Sequence, residues 1–281
     1  MFSSLTQAGA LKTQGLVPQG VTRLLLGMAG VTLGPVGGGR TYPSGRRAAA
    51  CVSLDFDVTK ESRAEANHRG THLLLYCAER YGVPLTWAIC GMTVEKDPEP
   101  FEAVMNSGGT YEIASHTYSH LRVDAATPAE LEADMERWRA AVGSLNPRTI
   151  IFPFNKSGNF ETLKRMGFSN YRGEERRVGA PVAENGLCNI SPVVYLSGRS
   201  DGAVATAKMF IDLCIRYQSV FHLWSHPWNM AREGDPSRYS QLVLGPIFAY
   251  LKERQDEGSL KLCTMNELAG SMQLPAAAPS N

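Results

Sequence analysis

Two histidines four residues apart, His116 and His120, form the pattern in this chain that most directly suggests chemistry. They follow residues 111–114, which are predicted to form a strand. A helical turn beginning at Ser115 would place both imidazoles on one face, one turn apart. Neutral imidazole nitrogens at that spacing can hold one divalent metal ion at about 2.0–2.1 Å each. No carboxylate lies between the two histidines, so a third ligand and a general base must come from elsewhere.

Asp55 and Asp57 can supply both of these groups. They end a predicted buried strand over residues 50–57, and positions two apart in a strand face the same side. Because two like charges this close repel each other, a bound cation would stabilise the pair. One aspartate can then bind the metal, and the other can take a proton from a water whose pKa the metal lowers towards about 7. Solvated acids at a strand end are the alternative, and the histidine pair favours the metal site.

The other histidines also come in pairs four apart. His226 ends a predicted strand directly before Pro227, where it could protonate a leaving amine. We interpret His222, in the same strand, as a buried core residue. The pair His68 and His72 lies where a helix begins, and no acidic residue near it suggests a third ligand. We therefore predict that this pair is a surface feature.

These candidates fall at the ends of elements that alternate regularly along the chain. The predicted strands cover residues 50–57, 84–90, 111–115, 149–154, 168–171, 193–196, 220–226 and 260–263. The predicted helices cover residues 67–81, 97–107, 128–142, 160–166, 203–217 and 239–257, with a last short helix after 264. Residues 173–191 are predicted to form a polar loop. This β-α alternation predicts an α/β fold with about seven parallel strands in a single domain, as a closed or nearly closed barrel. In such barrels the chemistry lies at the C-terminal ends of the strands.

Composition narrows the class of protein. The chain has 281 residues, of which 43% are hydrophobic, so it can bury a full core. A net charge of +1 does not favour nucleic acid or an anionic surface as a partner. The six cysteines form no C-x-x-C pair, which argues against a thiolate metal site. A reducing compartment is the simpler interpretation, and it predicts a cytoplasmic location.

The two ends of the chain differ from its centre. We predict an irregular N-terminal arm over 1–48, a catalytic barrel over 49–272 and a flexible tail over 273–281. The apolar stretch 24–34 is too short and too rich in glycine to span a bilayer. A weak membrane-surface anchor is the alternative interpretation of this stretch. None of these patterns predicts an oligomeric state.

Four short motifs resemble those of the polysaccharide deacetylase family, which contains the NodB-homology domain and carbohydrate esterase family 4. Residues 116–120 (HTYSH) fit its H-[ST]-x-x-H motif, and residues 54–57 (LDFD) resemble its first motif. Residues 152–155 (FPFN) resemble the third motif, and residues 223–226 (LWSH) resemble the fifth. The resemblance covers roughly residues 50–270.

This resemblance implies a distorted (β/α) barrel and metal-dependent removal of an N-acetyl group from a sugar. Asp57, His116 and His120 would bind one divalent ion, with Zn²⁺ as the default and Co²⁺, Ni²⁺ or Mn²⁺ as alternatives. Asp55 would be the base and His226 the acid. The implied partner is an N-acetylated sugar or glycoconjugate, and a small or precursor form of it fits an intracellular protein.

The resemblance also implies substrate contacts. A backbone N–H near Phe154 would help to hold the tetrahedral oxyanion. Phe154 and Trp224 are candidates for stacking on a sugar face, and Asn155 is a candidate for binding a hydroxyl group. The family has an arginine in its third motif that orients the base, but Ile151 stands there. Arg172, at the end of the fifth predicted strand, is the candidate substitute.

Further departures leave alternatives open. Strict alignment on the first motif puts Asp57 at the base position and Val58 at the metal position, so the roles of Asp55 and Asp57 could be exchanged. Trp224 stands where the family has a leucine, which indicates another acyl group or a shifted pocket. No fourth-motif Asp-Trp is present, so no partner for His226 is predicted. The alternative functions are a hydrolase of a ureide or formamide and a non-catalytic carbohydrate-binding barrel.

Overall fold

A computed structural model of the chain describes residues 27, 30–36, 42–57, 63–143, 145–231 and 235–272. The predicted tail at 273–281 lies outside the described residues, and so does most of the predicted arm at 1–48. The described part of that arm includes a short strand, β1 (Thr32–Leu33), which pairs in parallel with β7 (Arg177–Val178). None of the helices in the described ranges is both long enough and apolar enough to cross a membrane.

Most of the strands belong to one curled sheet. Besides β1 and β7, the strands are β2 (Ala49–Phe56), β3 (Leu85–Ile89), β4 (Tyr111–Ser115), β5 (Thr149–Ile151), β6 (Asn170–Arg172), β8 (Val182–Glu184), β9 (Leu187–Ile190), β10 (Val194–Leu196), β11 (Val220–Ser225) and β12 (Lys261–Leu262). Their order is β10-β11-β2-β3-β4-β5-β6-β9-β8, and β12 pairs with the start of β2. Every pairing along this order is parallel except that between β8 and β9. The sheet forms a half-barrel, which confirms the prediction of an α/β fold with a distorted (β/α) barrel.

The helices connect these strands. They are α1 (Ala64–Tyr81), α2 (Gly91–Lys96), α3 (Glu99–Met105), α4 (Pro128–Val142), α5 (Phe160–Arg165), α6 (Ala203–Arg216), α7 (Pro236–Tyr239), α8 (Gly245–Asp256) and α9 (Met265–Ser271). A π-helical turn, Ser240–Leu244, separates α7 from α8 and interrupts the single helix predicted over 239–257. At the start of α4, the Thr127 hydroxyl accepts from the Glu130 N–H while the Glu130 carboxylate accepts from the Thr127 N–H. This reciprocal cap fixes where α4 begins.

The prediction of a loop over residues 173–191 is wrong. This segment contains β7, β8 and β9, and β9 pairs in parallel with β6. The four residues of β9 are all buried, whereas two of the three residues of β8 are exposed. Strands this short carry too few residues for a periodic pattern, so long-range pairing rather than local sequence determines them.

The register of the sheet brings the chemical groups to one edge. All eight residues of β2 are buried, because its neighbours and the covering helices exclude water from both faces. Asp55 of β2 pairs with Ala88 of β3, and Leu54 pairs with Ser225 of β11. Residues that follow β2, β4, β5, β6 and β11 therefore meet at the C-terminal edge of the sheet.

Candidate active site

Asp57, His116 and His120 converge at this edge. The Oδ1 atom of Asp57 lies 3.0 Å from Nε2 of His116 and 3.5 Å from Nε2 of His120. One donor atom from each of the three residues lies within 4.8 Å of the others. One carboxylate and two imidazoles at this separation form a donor set that suits a divalent ion such as zinc.

His116 is oriented by a contact on the far side of its ring. The imidazole is buried, and its Nδ1 bonds the Ile151 carbonyl oxygen at 2.7 Å. Because the carbonyl can only accept, Nδ1 carries a proton, and Nε2, on the side of Asp57 and His120, is the nitrogen that could bind a metal ion. Metal-binding histidines usually donate their second N–H to a carbonyl or carboxylate in this way. The residues present therefore fit a metal ion.

The expected helical turn after Ser115 is absent. Residues 116–126 form a loop, and both Thr117 (φ 61°) and His120 (φ 60°) adopt the left-handed conformation. The two imidazoles nevertheless lie close together, edge to face, with ring centroids 5.0 Å apart. The prediction that the two rings lie close together is therefore right, but the helical turn on which it was based is wrong.

Asp134 holds this loop in place. It lies on α4, and its carboxylate accepts from the Tyr118 N–H at 2.6 Å and from the N–H and hydroxyl of Ser119. Sequence reasoning missed this residue. The available signal was its position between Leu131 and Met135 on the apolar face of α4, because a carboxylate on a buried face needs a partner.

Asp55 is held by Arg172 rather than by the histidines. Both residues are 3% exposed, and the Nη1 and Nη2 atoms of Arg172 donate to the two carboxylate oxygens of Asp55, each at 2.6 Å. Arg172 Nη2 also donates to Asn155 Oδ1 at 2.9 Å. Burial alone would raise the pKa of Asp55, but the charge and hydrogen bonds of Arg172 outweigh it and lower that pKa. Asp55 therefore stays ionised.

Asp57 is also kept ionised, by the imidazoles around it. Burial again opposes ionisation, but hydrogen bonds from His116, His120 and His226 hold the pKa of Asp57 far below its usual value. Asp55, Asp57 and His226 form a second set of donors within 4.8 Å of one another. Because Arg172 engages both oxygens of Asp55, the set with His116 and His120 is the better fit for a metal.

His226 directly follows β11 and also contacts Asp57. Its Nε2 lies 3.5 Å from Oδ2 of Asp57, and its ring stacks on Trp228 with centroids 4.4 Å apart. Its Nδ1 lies 3.3 Å from the Tyr195 hydroxyl and 3.5 Å from Nδ2 of Asn229. Sequence reasoning missed both of these neighbours, which lie on β10 and on the turn after β11.

Aromatic residues lie beside these groups. Phe154 is 56% exposed and makes an edge contact with the His120 ring at 4.5 Å. Trp224 is half-buried, with the Arg172 guanidinium 4.2 Å from its ring centre on one side and the Tyr195 ring stacked at 4.2 Å. Both predicted stacking candidates thus lie near the site, and Trp224 also packs against the arginine that binds Asp55.

The remaining histidines lie outside this cluster. His222 is buried as predicted, with Nε2 2.8 Å from Ser53 Oγ, and burial followed by the charge of Arg172 lowers its pKa to about 3. His68 lies 2.8 Å from Asp97, and His72 lies 2.6 Å from a neighbouring carboxylate, that of Glu99. These carboxylates come from a distant part of the chain, and the pair is the surface feature that the sequence predicted. Both histidines are partly exposed and form surface ion pairs.

Gly70 allows α1 to approach the segment that follows His226. A Cβ at Gly70 would lie 1.9 Å from the carbonyl oxygen of Pro227, and that atom belongs to the backbone. We expect Gly70→Ala to lower the free energy of unfolding by about 1–3 kcal/mol, because the turn Pro227–Ala231 must move. Urea unfolding of the purified variant measures this change.

Gly270 provides the matched control. It lies in α9, and a Cβ there would meet no atom within 4 Å. We expect Gly270→Ala to leave stability unchanged or to raise it by about 0.4–1 kcal/mol, because alanine restricts the unfolded chain. Equal stability of the two variants would contradict the close packing of α1 against this turn.

A family model and several solved structures match this chain. A model of the polysaccharide deacetylase family matches residues 44–167. That segment contains Asp55, Asp57, His116 and His120, but it ends before Arg172 and all residues of β11. No curated protein sequence matches the chain.

Several solved structures share the fold. A Mycobacterium smegmatis protein named as a polysaccharide deacetylase has a TM-score of 0.68 and 16% identity, over 85% of this chain and 94% of that chain. The PuuE allantoinase has a TM-score of 0.61 and 14% identity, also over 85% of this chain and 94% of that one. A peptidoglycan N-acetylglucosamine deacetylase has a TM-score of 0.52 and 15% identity, over 83% of this chain and 93% of that one.

At these identities the structural likeness establishes the fold, whereas the relation to the deacetylase family rests on the sequence match over residues 44–167. The resemblance noted in the motifs of the acid pair and the histidine pair is thereby confirmed. Residues 44–167 match the polysaccharide deacetylase family, and this match indicates a hydrolase that acts on the N-acetyl amide bond of a sugar.

Proposed function

We propose that this protein is a metal-dependent de-N-acetylase that removes the acetyl group from an N-acetylated sugar or glycoconjugate. The observation that carries the proposal is the convergence of Asp57, His116 and His120 beside a buried, arginine-paired Asp55. Metal dependence and the individual roles below belong to this proposal. A divalent ion held there would polarise the amide carbonyl and acidify a water.

We assign Asp57, His116 and His120 as the ligands of that ion. Asp57 contacts both imidazoles, and the Nδ1 contact of His116 with Ile151 favours an available Nε2. Zinc is the default ion for two imidazoles and one carboxylate, and cobalt, nickel or manganese could replace it.

We assign Asp55 as the general base. Arg172 orients its carboxylate by two hydrogen bonds and keeps it ionised, so that it can accept a proton from the attacking water. The opposite assignment, with Asp55 as ligand and Asp57 as base, is less compatible with the contacts. It would leave the base among three imidazoles and the ligand with both oxygens bound to arginine.

We assign His226 as the general acid. Its Nε2 lies on the side of Asp57 and can deliver a proton to the sugar nitrogen as the C–N bond breaks. The amine would then leave in neutral form while the carbonyl carbon keeps the oxygen of the water as acetate.

The segment Pro153–Asn155 is the candidate wall for the acetyl group and the oxyanion. The Asn155 N–H donates to the Phe152 carbonyl, so the oxyanion donor predicted near Phe154 would be the N–H of Phe154 itself. Phe154 and Trp224 offer ring faces for a sugar, and Asn155 offers an amide that already contacts Arg172. Arg172 thus borders the substrate site while it orients Asp55.

A substrate panel with metal analysis tests the proposal. We expect about one divalent ion per chain, release of acetate from an N-acetylated mono- or oligosaccharide, and loss of this activity after chelation with recovery on adding Zn²⁺ or Co²⁺. The panel includes ureides, because an allantoinase shares this fold. Turnover by chelator-treated protein, or turnover of ureides alone, would contradict the proposal.

We further propose a cytoplasmic location with a small or precursor substrate, and a catalytic barrel that covers residues 49–272. All six cysteines are free and buried, which supports a reducing compartment.

A further inference from the structure

The second ring nitrogen of His226 faces neutral groups. Nδ1 lies 3.3 Å from the hydroxyl of Tyr195 and 3.5 Å from Nδ2 of Asn229. Among the described residues, Asp57 is the one whose carboxylate contacts His226, and it lies on the Nε2 side. A histidine that delivers a proton from Nε2 needs its other nitrogen held by an acceptor, because this contact fixes the ring and its tautomer.

The Tyr195 hydroxyl is positioned to be that acceptor. Its oxygen receives a hydrogen bond from Nδ2 of Asn229 at 3.0 Å. Asn229 is itself 3% exposed and also donates to the Leu196 carbonyl at 3.0 Å. Because this amide occupies one lone pair of the phenolic oxygen, the remaining lone pair can accept the Nδ1–H of His226.

Stacking fixes both rings. Tyr195 lies on Trp224 with centroids 4.2 Å apart, and it meets the His226 ring edge-on at 5.9 Å. Trp228 covers a face of the His226 ring at 4.4 Å. The hydroxyl of Tyr195 is therefore presented to His226 by a ring that has little freedom to turn away.

We propose that Tyr195 is a positioning residue for the acid step, with its hydroxyl accepting the Nδ1–H of His226 so that the Nε2 proton faces the leaving nitrogen. The inference rests on the proposed function. In the step itself the C–N bond breaks, the Nε2 proton moves to the sugar nitrogen, and the Nδ1–H bond to Tyr195 persists. The neutral imidazole that results must regain a proton at Nε2 before the next turnover.

The test compares two leaving groups in the metal-loaded full chain. An N-acetylated hexosamine needs protonation of its nitrogen, whereas 4-nitrophenyl acetate releases a stable phenolate without it. We expect Tyr195→Phe, which keeps the stacked ring, to lower the ratio of amide to ester kcat by about tenfold, part of the 10²–10⁴ that acid catalysis contributes. The KM for the amide should stay within about twofold, because a positioning effect is felt in the transition state.

Three further variants sharpen this comparison. Tyr250→Phe removes another hydroxyl, which bonds Asp212 at 2.7 Å on the surface, and should change neither rate. His226→Ala should lower the same ratio, and adding Tyr195→Phe to it should lower the ratio no further, because coupled residues are not additive. Tyr195→Leu, which also removes the ring, should raise the KM as well.

The outcomes separate the inference from the proposed function. Equal losses on amide and ester in Tyr195→Phe, or no loss on either, would overturn the role of Tyr195 while deacetylation stands. A wild-type protein that hydrolyses no N-acetylated sugar would overturn the proposed function, and the inference with it.

Discussion

Replacing His120 by alanine is expected to remove the bound metal and nearly all turnover. Its Nε2 lies 3.5 Å from Oδ1 of Asp57, and its ring faces that of His116 at 5.0 Å. A catalytic ion supplies several kcal/mol of transition-state stabilisation, so its loss should lower kcat/KM by about 10³-fold or more. His120 is a better choice than the buried His116, whose removal would also leave the Ile151 carbonyl without its hydrogen bond.

Metal content and kinetics together measure this effect. Elemental analysis of purified His120→Ala should find well under one ion per chain. A cooperative urea unfolding curve should show that the variant is still folded. The matched control is His72→Ala, which removes an exposed histidine that pairs with Glu99 on the surface. This control should keep both metal and activity. A His120 variant that retained its ion and its turnover would refute the assigned ligand set.

The acid pair and the histidine pair were predictable because their spacing is short. Asp55 and Asp57 lie two apart at the end of a strand, so alternation alone directs both towards one side. The alternation of strands and helices then predicted that the ends of β2, β4 and β11 meet at one edge. Local sequence thus specified which residues could share a cavity, although it gave no distances between them.

The parts that sequence reasoning missed depend on contacts between distant segments. Two residues of the loop 116–126, Thr117 and His120, adopt the left-handed conformation. Neither is a glycine or an asparagine, the residue types that would have indicated this conformation in the sequence. The loop keeps its shape because Asp134, on a helix that follows it, accepts its backbone N–H groups. Tyr195 likewise meets His226 only because β10 lies beside β11 in the sheet.

Arg172 illustrates how a fold can supply the same charge from a different place. The residue at the expected position, Ile151, is apolar, but its strand β5 pairs with β6, where Ile151 lies directly beside Arg172. One strand further along the sheet, the guanidinium still reaches Asp55 with two hydrogen bonds of 2.6 Å. The motif departs from the family pattern while the charge pair is kept, and this makes Arg172 the most informative residue to change.

Arg172→Met is expected to lower the free energy of unfolding by about 3–5 kcal/mol, because it leaves the buried Asp55 carboxylate without its counter-charge. Deacetylation should also be lost, since nothing would then orient the proposed base. Arg172→Lys keeps the charge but loses the bidentate hydrogen bonding to Asp55. Compared with Arg172→Met, it should therefore recover part of the stability and little of the activity. Urea unfolding and acetate release measure the two effects.

A double variant separates charge from packing in this prediction. Asp55→Asn combined with Arg172→Met removes both charges, so it should be more stable than Arg172→Met alone, although inactive. Arg165→Met is the matched control, because Arg165 forms an exposed pair with Glu132 at 3.0 Å and should cost less than about 1 kcal/mol. If the double variant were less stable than Arg172→Met, the loss would come from packing against Trp224, 4.2 Å from the guanidinium, and not from an unpaired charge. The stability lost in Arg172→Met would then not measure the buried ion pair.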